Sequence, residues 1–216
     1  IQMLNKMGAD IYREKNDTII IKGQTSLSTA EHHIIPDRIE MGTYVIAAAM
    51  ADHQIAVSST RFDLVRSLLD ILDQMGVMVQ IEADRLTILK KDRLKGISLE
   101  TAPFPGFPTD LQAQLMVLLT QIEGESRIRE SIFNNRFNHA GELNKMGADI
   151  SINDDIATIR GKTALTGCPD IYATDLRASA TLVLGSLIAD GETTIHNASQ
   201  LFRGYEDLPG KLSKLG

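Results

Sequence analysis

Three aspartates each precede an arginine at a nearly constant distance along the chain. The pairs, aspartate first, are Asp37 and Arg61, Asp110 and Arg136, and Asp175 and Arg203. Their members are separated by 24, 26 and 28 residues (61−37, 136−110 and 203−175). Arginine side chains beside helix N-termini bind phosphate or carboxylate groups, and an aspartate held among them can act as a general base. The spacing therefore indicates an anion-binding site that contains a carboxylate base.

A purely structural role for these residues is the alternative. Each aspartate follows a proline or a threonine and precedes an apolar run, as in IIPDRIEMGTYVIAAAMAD. A carboxylate at the start of a helix accepts hydrogen bonds from the first N–H groups, which have no partners within the helix. We interpret Asp37 and Arg61 as structural for this reason, whereas for the other two pairs the spacing leaves both roles open.

A fixed period organises the elements that carry these pairs. The segment LNKMGADI occurs at residues 4–11 and again at 143–150. Glycines end a helical pattern at positions 8, 76, 147 and 216, which are 68, 71 and 69 residues apart (76−8, 147−76 and 216−147). A period of this size is typical of a supersecondary unit that is used several times.

Each unit combines helices and strands in one order. Apolar residues recur on one helical face over 64–75, and Gly76 then tolerates the left-handed conformation that ends a helix. Alternating apolar residues predict strands at 77–81 and 86–88, around a polar turn at 83–85. Corresponding turns are predicted at Asn16–Asp17 and Asn153–Asp154. The apolar runs after the three aspartates predict helices that are buried on all sides, each followed by a strand.

The predicted fold is α/β, built from repeated strand-helix-strand-helix-strand-strand units whose sheets lie outside buried helices. The units span about 24–94, 95–163 and 164–216, and the third lacks its last two strands. Residues 1–23 are predicted to be the end of a preceding domain. Residues 24–216 are predicted to form a three-unit domain that is truncated in its last unit.

The composition restricts the functions that the chain can have. Its formal net charge of −6 argues against general nucleic-acid binding. The one cysteine, Cys168, fits a reducing compartment and is interpreted as a small, partly buried apolar residue. Apolar runs such as VIAAAMA are far shorter than the roughly 18 residues of a membrane span. The five histidines lack metal-ligand spacing and no glycine-rich phosphate loop is present, so neither a metal nor a cofactor is predicted.

Five stretches carry a resemblance to a known family: IIPDRIEMGT, FPTDLQAQ, NNRFNH, ATDLRASA and RGYE. Together they are similar to the bacterial UDP-N-acetylglucosamine 1-carboxyvinyltransferases, and the resemblance covers essentially the whole chain. It implies a cytoplasmic enzyme that moves the enolpyruvyl group of phosphoenolpyruvate to the 3-hydroxyl of the sugar nucleotide. Phosphate is released, and the product enters peptidoglycan synthesis. The resemblance also implies two inside-out α/β barrel domains of three such units each, with the active site in the cleft between them.

The resemblance implies roles for individual residues. Asp110 matches the aspartate that contacts the sugar nucleotide and is the favoured base for its 3-hydroxyl. Asp175 matches a second catalytic acid near the reacting carbon, and Ile132 matches a backbone contact to the nucleotide. The arginines implied to bind substrate are Arg136, Arg177 and Arg203.

Three positions depart from the family pattern. Phe104 stands where many members have His or Tyr, Asn134 where many have Glu, and Phe202 where Asp is usual. The last two changes remove acidic groups beside Arg136 and Arg203, which match arginines that bind the phosphoenolpyruvate-derived anion or order the closed cleft. These arginines are therefore expected to be less neutralised or less well oriented than in the family.

The same resemblance implies that half of the cleft lies outside this chain. The loop cysteine that acts as the family's proton donor belongs to the other domain, so the chain alone is expected to be inactive. Its expected partners are the missing N-terminal domain, the sugar nucleotide and phosphoenolpyruvate. Three alternatives remain open: a shikimate-pathway enolpyruvyl transferase, a non-catalytic sugar-nucleotide-binding paralogue, and a structural repeat domain.

Overall fold

The computed structural model describes residues 1–15, 17–90 and 94–214. The chain forms two compact parts, Ile1–Ile35 (the N-terminal segment) and Pro36–Gly216 (the main domain). Both contain helices and strands, which agrees with the predicted α/β class. No helix in the described ranges is both long and apolar enough to cross a membrane.

The N-terminal segment consists of a short helix and a β-hairpin. Its elements are α1 (Gln2–Lys6), β1 (Asp10–Arg13) and β2 (Ile19–Lys22). The two strands pair antiparallel, with Ile11 opposite Ile21. The turn predicted at Asn16–Asp17 includes Asn16, which lies outside the described residues.

The first part of the main domain contains an antiparallel three-stranded sheet in the order β3-β5-β4. Its elements are α2 (Arg38–Met50), β3 (Ala56–Ser58), a 3-10 turn (Phe62–Val65), α3 (Arg66–Met75), β4 (Met78–Glu82) and β5 (Arg85–Lys90). Gly76 ends α3 with a φ of 94°, which is the left-handed conformation expected there. The helix, the turn and the two strands predicted for this stretch are thus confirmed.

The strand expected at the start of the unit 24–94 is absent, because residues 23–37 contain no strand. Residues 24–35 belong instead to the N-terminal segment, where the N–H of Ser28 donates to the carbonyl of Met7 at 2.7 Å. Only Leu27 and Ala30 are apolar between positions 24 and 33. A strand here would therefore have no apolar face to bury.

The middle part of the main domain has the complete order predicted for residues 95–163. Its elements are β6 (Ser98–Glu100), α4 (Thr109–Thr120), β7 (Gly124–Arg129), α5 (Asn138–Lys145), β8 (Asp149–Asn153) and β9 (Ile156–Gly161). The four strands form one sheet in the order β6-β7-β9-β8. Strand β6 runs parallel to β7, and the other two pairings are antiparallel.

The last part of the main domain begins with two short parallel strands that flank a long helix. Its elements are β10 (Ile171–Tyr172), α6 (Leu176–Ile188), β11 (Ile195–His196), a 3-10 turn (Ala198–Arg203) and α7 (Leu208–Ser213). The glycine predicted to end the final helix, Gly216, lies outside the described residues. Cys168 is half-buried against the apolar core, which agrees with its predicted role.

In each copy of LNKMGADI, one asparagine side chain links the helix to the start of the next strand through the same two hydrogen bonds. The side-chain amide of Asn5 donates to the carbonyl of Ile11 (2.7 Å), and its Oδ1 accepts from the N–H of Ile11 (3.0 Å). Asn144 makes the same two bonds to Ile150, at 2.8 and 3.0 Å. The repeated segment is thus a structural joint between a helix end and a strand start.

Helices α2, α4 and α6 pack against one another at the centre of the main domain. All ten residues of 111–120 in α4 are buried, as predicted for a helix enclosed on all sides. The other two helices are not fully enclosed, because Tyr44 and Met50 of α2 are partly exposed and Leu187 of α6 is exposed. These three side chains line a groove described below. The all-round burial expected of every such helix is therefore confirmed for α4 alone.

Candidate functional site

Asp110 joins the starts of two central helices. It lies in the first turn of α4, where its Oδ1 accepts from Nη2 of Arg136 at 2.6 Å. Its Oδ2 accepts from Nη2 of Arg177, in the first turn of α6, at 3.1 Å. The Asp110 side chain remains 33% exposed, so it can be reached from solvent. The geometry is that of one carboxylate held between two guanidinium groups.

The arginines control the charge of this carboxylate. Burial by itself would raise the pKa of Asp110, but the charges and hydrogen bonds of Arg177 and Arg136 outweigh it and lower that pKa. Asp110 in turn raises the pKa of the half-buried Arg177 guanidinium, against the opposing effect of burial. Asp110 and Arg177 are therefore both ionised at neutral pH.

Arg136 is fixed by two further contacts. Its Nη1 donates to the Thr109 hydroxyl at 3.1 Å, and its guanidinium lies 4.8 Å from the centroid of the Phe133 ring. Although Asn134 offers no carboxylate beside it, Arg136 is paired with the carboxylate of Asp110. Arg136 thus has three side-chain partners, namely Asp110, Thr109 and Phe133.

Glu130, which the sequence did not single out, organises the loop that carries Arg136. It lies one residue beyond β7 with only 4% of its surface exposed. Oε1 accepts from the hydroxyl of Thr101 (2.9 Å) and from the N–H groups of Ile132 (2.9 Å) and Phe133 (3.2 Å). Oε2 accepts from the Thr109 hydroxyl at 2.7 Å. A buried carboxylate with four donors fixes a loop strongly.

Asp175 caps α6, as the structural interpretation of the helix-opening aspartates predicts. Its Oδ1 accepts from the N–H groups of Arg177 (2.7 Å) and Ala178 (2.9 Å). Asp37 caps α2 in the same way, through the N–H groups of residues 39 and 40 at 2.7 and 3.2 Å. Asp110 differs from both, because α4 begins at Thr109 and the Asp110 side chain caps no N–H group. All three aspartates thus lie at helix starts, as predicted, but Asp110 does not cap its helix.

Only one of the three spaced pairs is a direct contact within the described residues, namely Asp110 with Arg136. Arg61 pairs with Asp63 through two bonds of 2.8 Å, in agreement with its structural interpretation. Arg203 does not meet Asp175, and its Nη1 donates to Oε1 of Gln200 at 2.9 Å. The second partner of Asp110 is Arg177, which lies in the following predicted unit, 164–216. A spacing measured within one unit could not predict this contact.

Two of the departures from the family pattern are exposed aromatic side chains. Phe104 is 61% exposed, and the guanidinium of Arg38 lies 5.7 Å from the centroid of its ring. Phe202 is 65% exposed and precedes Arg203. In the part of the chain that the structure describes, no group of three or more His, Cys, Asp or Glu side chains is placed to hold a metal ion.

A groove of about 1680 Å³ lies elsewhere on the main domain. It follows the outer face of α2 and reaches the ends of α4 and α6, and its lining includes Tyr44, Met50, Ile122 and Leu187. Neither Asp110 nor its two arginines line it. The groove is large, but the convergent charged groups lie at Asp110, which we take as the candidate site.

Comparison with known proteins finds relatives over nearly the whole chain. The family model described as EPSP synthase (3-phosphoshikimate 1-carboxyvinyltransferase) matches residues 1–212. A UDP-N-acetylglucosamine 1-carboxyvinyltransferase of Caulobacter vibrioides is 49% identical over 216 residues, which are 100% of this chain and 50% of the relative. The protein of that description from Halothermothrix orenii is 47% identical over 213 residues, 99% of this chain and 51% of its own length. The chain thus spans about half the length of these curated relatives.

Solved structures support the same relationship. The enolpyruvyl transferase NikO from Streptomyces tendae superposes with a TM-score of 0.88 at 34% identity, over 99% of this chain and 51% of that one. EPSP synthase from Acinetobacter baumannii superposes with a TM-score of 0.71 at 18% identity, over 99% of this chain and 52% of that one, which shows a shared fold. The chain therefore belongs to the EPSP synthase family of enolpyruvyl transferases.

Proposed function

We propose that the chain is the C-terminal part of a UDP-N-acetylglucosamine 1-carboxyvinyltransferase. The observation that carries the proposal is the Asp110 carboxylate, which is held between Arg136 and Arg177 and is still open to solvent. The 49% identity to the Caulobacter vibrioides relative of that description supports the choice of sugar nucleotide as acceptor. The site supplies a proton acceptor and cations that can bind anionic substrates, and the reaction requires both from this half of the cleft.

In the proposed reaction, Asp110 takes the proton of the sugar 3-hydroxyl as that oxygen bonds to C2 of phosphoenolpyruvate. C3 gains a proton from an acid outside this chain. Loss of a C3 proton then expels phosphate and leaves the enolpyruvyl ether. Arg136, Arg177 and Arg203 bind the carboxylate and phosphate groups, which develop or redistribute negative charge during these steps.

The remaining site residues have narrower roles in this proposal. Oδ1 of Asp175 accepts the two hydrogen bonds that cap α6, so a substrate would contact Oδ2. That oxygen accepts from the Thr174 hydroxyl at 3.3 Å. The N–H of Ile132 is already donated to Glu130, so a nucleotide would contact the Ile132 carbonyl.

The proposal extends to the architecture of the whole protein. The proposed three-unit inside-out barrel around α2, α4 and α6 begins at residue 36 and not at residue 24, and the N-terminal segment is the end of the preceding domain. The partner that completes the site is that N-terminal domain, in one cytoplasmic chain without a metal or cofactor. The support is the mutual packing of the three helices and the half-length match to the relatives.

A titration of the isotope-labelled chain with UDP-N-acetylglucosamine, followed by amide NMR, tests the proposal. The amide signals of residues 109–111 and 132–136 are expected to shift, and Asp110→Ala should abolish the shifts. A matched control is Asp70→Ala, which removes an exposed carboxylate on α3. The chain alone is expected to release no phosphate from phosphoenolpyruvate.

The alternatives give different results in the same titration. Shikimate 3-phosphate would shift these signals instead if the acceptor were that of the shikimate pathway. A non-catalytic binding paralogue would bind the sugar nucleotide, but the protein completed with its N-terminal domain would not turn it over. Absence of binding by either ligand up to millimolar concentration would refute the proposed function.

A further inference from the structure

Thr109 begins helix α4 and directly precedes Asp110. Its side chain is half-buried, and its hydroxyl lies between a carboxyl group and a guanidinium group. Oγ1 is 2.7 Å from Oε2 of Glu130 and 3.1 Å from Nη1 of Arg136. The buried residue after β7 and the arginine of the following loop therefore meet at this one hydroxyl.

The direction of both hydrogen bonds follows from the groups that make them. A guanidinium group can only donate, so the Thr109 oxygen accepts from Arg136. A hydroxyl has a single proton, and Thr109 donates it to Oε2 of Glu130. Glu130 is itself fixed, because it is only 4% exposed and its Oε1 accepts from three other donors. The Thr109 oxygen therefore presents lone pairs, and no proton, to Arg136.

Arg136 uses its two terminal nitrogens on neighbouring residues of α4. Nη1 donates to Thr109, and Nη2 donates to Oδ1 of Asp110 at 2.6 Å. Two bonds from one planar group to adjacent residues fix its position and its rotation, whereas the bond to Asp110 alone would let the guanidinium turn about that contact. The Arg136 side chain is 26% exposed, so water would compete for a guanidinium that had lost one of these bonds.

We propose that Thr109 is a positioning residue, whose hydroxyl is oriented by Glu130 and holds the Arg136 guanidinium on the Asp110 carboxylate. The carboxylate and its loop cation are then in place before a substrate binds. The nucleotide named in the test rests on the proposed function, but the link from Glu130 through Thr109 to Arg136 does not. Thr109 touches no reacting atom in this proposal.

The test compares wild type with Thr109→Val, which keeps the shape of the side chain and removes the hydroxyl. The first readout is the pKa of the Asp110 carboxyl, from its side-chain ¹³C signal without ligand. Because Arg136 lowers this pKa, it is expected to rise in Thr109→Val and to rise further in Arg136→Met. The second readout is the dissociation constant for UDP-N-acetylglucosamine, expected to increase about fivefold in Thr109→Val. Thr109→Ser, which retains the hydroxyl, should restore both readouts, and Thr87→Val, at a half-buried threonine of β5, should leave both unchanged.

A double-mutant cycle separates positioning from general support of the fold. In an Arg136→Met background, Thr109→Val should have no further effect on the pKa of Asp110. Equal effects in both backgrounds, an unchanged pKa in Thr109→Val, or failure of Thr109→Ser to restore it would overturn the proposal. Should Thr109→Val fail to fold, Thr109→Ala also removes the hydroxyl and is expected to raise the pKa in the same way. A rise of the pKa without any binding of the nucleotide would support the positioning role and reject the proposed substrate.

Discussion

His139 makes the stability of the main domain depend on pH. It lies in the first turn of α5 with 4% of its surface exposed, and its Nε2 has no hydrogen-bond partner among the described residues. Burial lowers the pKa of His139 to about 4, and the charge of Arg136 adds to that effect, while Asp175 opposes it. The folded protein therefore keeps this imidazole neutral under conditions in which the unfolded chain would protonate it.

The sign and size of the effect follow from the two pKa values. The folded-state pKa of about 4 lies below the ordinary value of 6.5, so the stability is complete above pH 6.5 and is lost as the pH falls towards 4. The full difference of 2.5 units (6.5−4) corresponds to about 3 kcal/mol in the free energy of unfolding. Between pH 8 and pH 5 the expected loss is about 2 kcal/mol, because only the part below 6.5 contributes.

Urea unfolding of wild type and His139→Leu, measured from pH 8 to pH 5, tests this expectation. All other groups are shared by the two proteins, so the difference between the two curves isolates His139. Wild type should lose about 2 kcal/mol more than the variant. His53→Leu, at an exposed histidine, should retain the steeper dependence of wild type. Parallel curves for wild type and His139→Leu would refute the reasoning.

Two further predictions concern packing and the loop of Arg136. Gly167→Ala would place a Cβ 2.3 Å from the carbonyl oxygen of Glu192, and is expected to lower the free energy of unfolding by more than about 1 kcal/mol. Gly141→Ala, in α5 with open space around it, is the matched change and should raise that free energy by about 0.5–1 kcal/mol in the same urea titration. Glu130→Gln replaces one carboxylate oxygen, which accepts hydrogen bonds, with an NH₂ group, which donates them. Because four groups donate to Glu130, the variant should lower the free energy of unfolding by about 2 kcal/mol and weaken sugar-nucleotide binding. Unchanged stability and binding in Glu130→Gln would contradict this account of the loop.

Much of the local structure could be predicted from the sequence, because it depends on neighbouring residues. Glycine ends α3 at position 76, and both copies of LNKMGADI form the same joint, since each feature is decided within a few residues. The strand predicted at the start of the unit 24–94 is absent for a different reason. The periodic pattern placed the start of a unit there, but residues 24–33 contain only two apolar side chains, so a strand would have no apolar face to bury.

The site could be predicted in part. Asp110 and Arg136 were paired by spacing, and the structure brings them together. The bond from Arg177 to Asp110 crosses from one unit to the next, so it follows from helix packing and not from any spacing. Glu130 was missed because its role depends on its burial after the end of β7, which the sequence does not reveal.

The contrast among the three aspartates bears on how the site would work. In Asp37 and Asp175, one carboxylate oxygen accepts hydrogen bonds from backbone N–H groups, which cannot move without unwinding a helix. Neither oxygen of Asp110 caps a helix, because its two partners are the side chains of Arg136 and Arg177. An anionic substrate would compete for the same two guanidinium groups, and each hydrogen bond that it took from Asp110 would raise the pKa of that carboxylate. In the proposed reaction, substrate binding would itself make Asp110 a stronger base at the moment when the hydroxyl proton must leave.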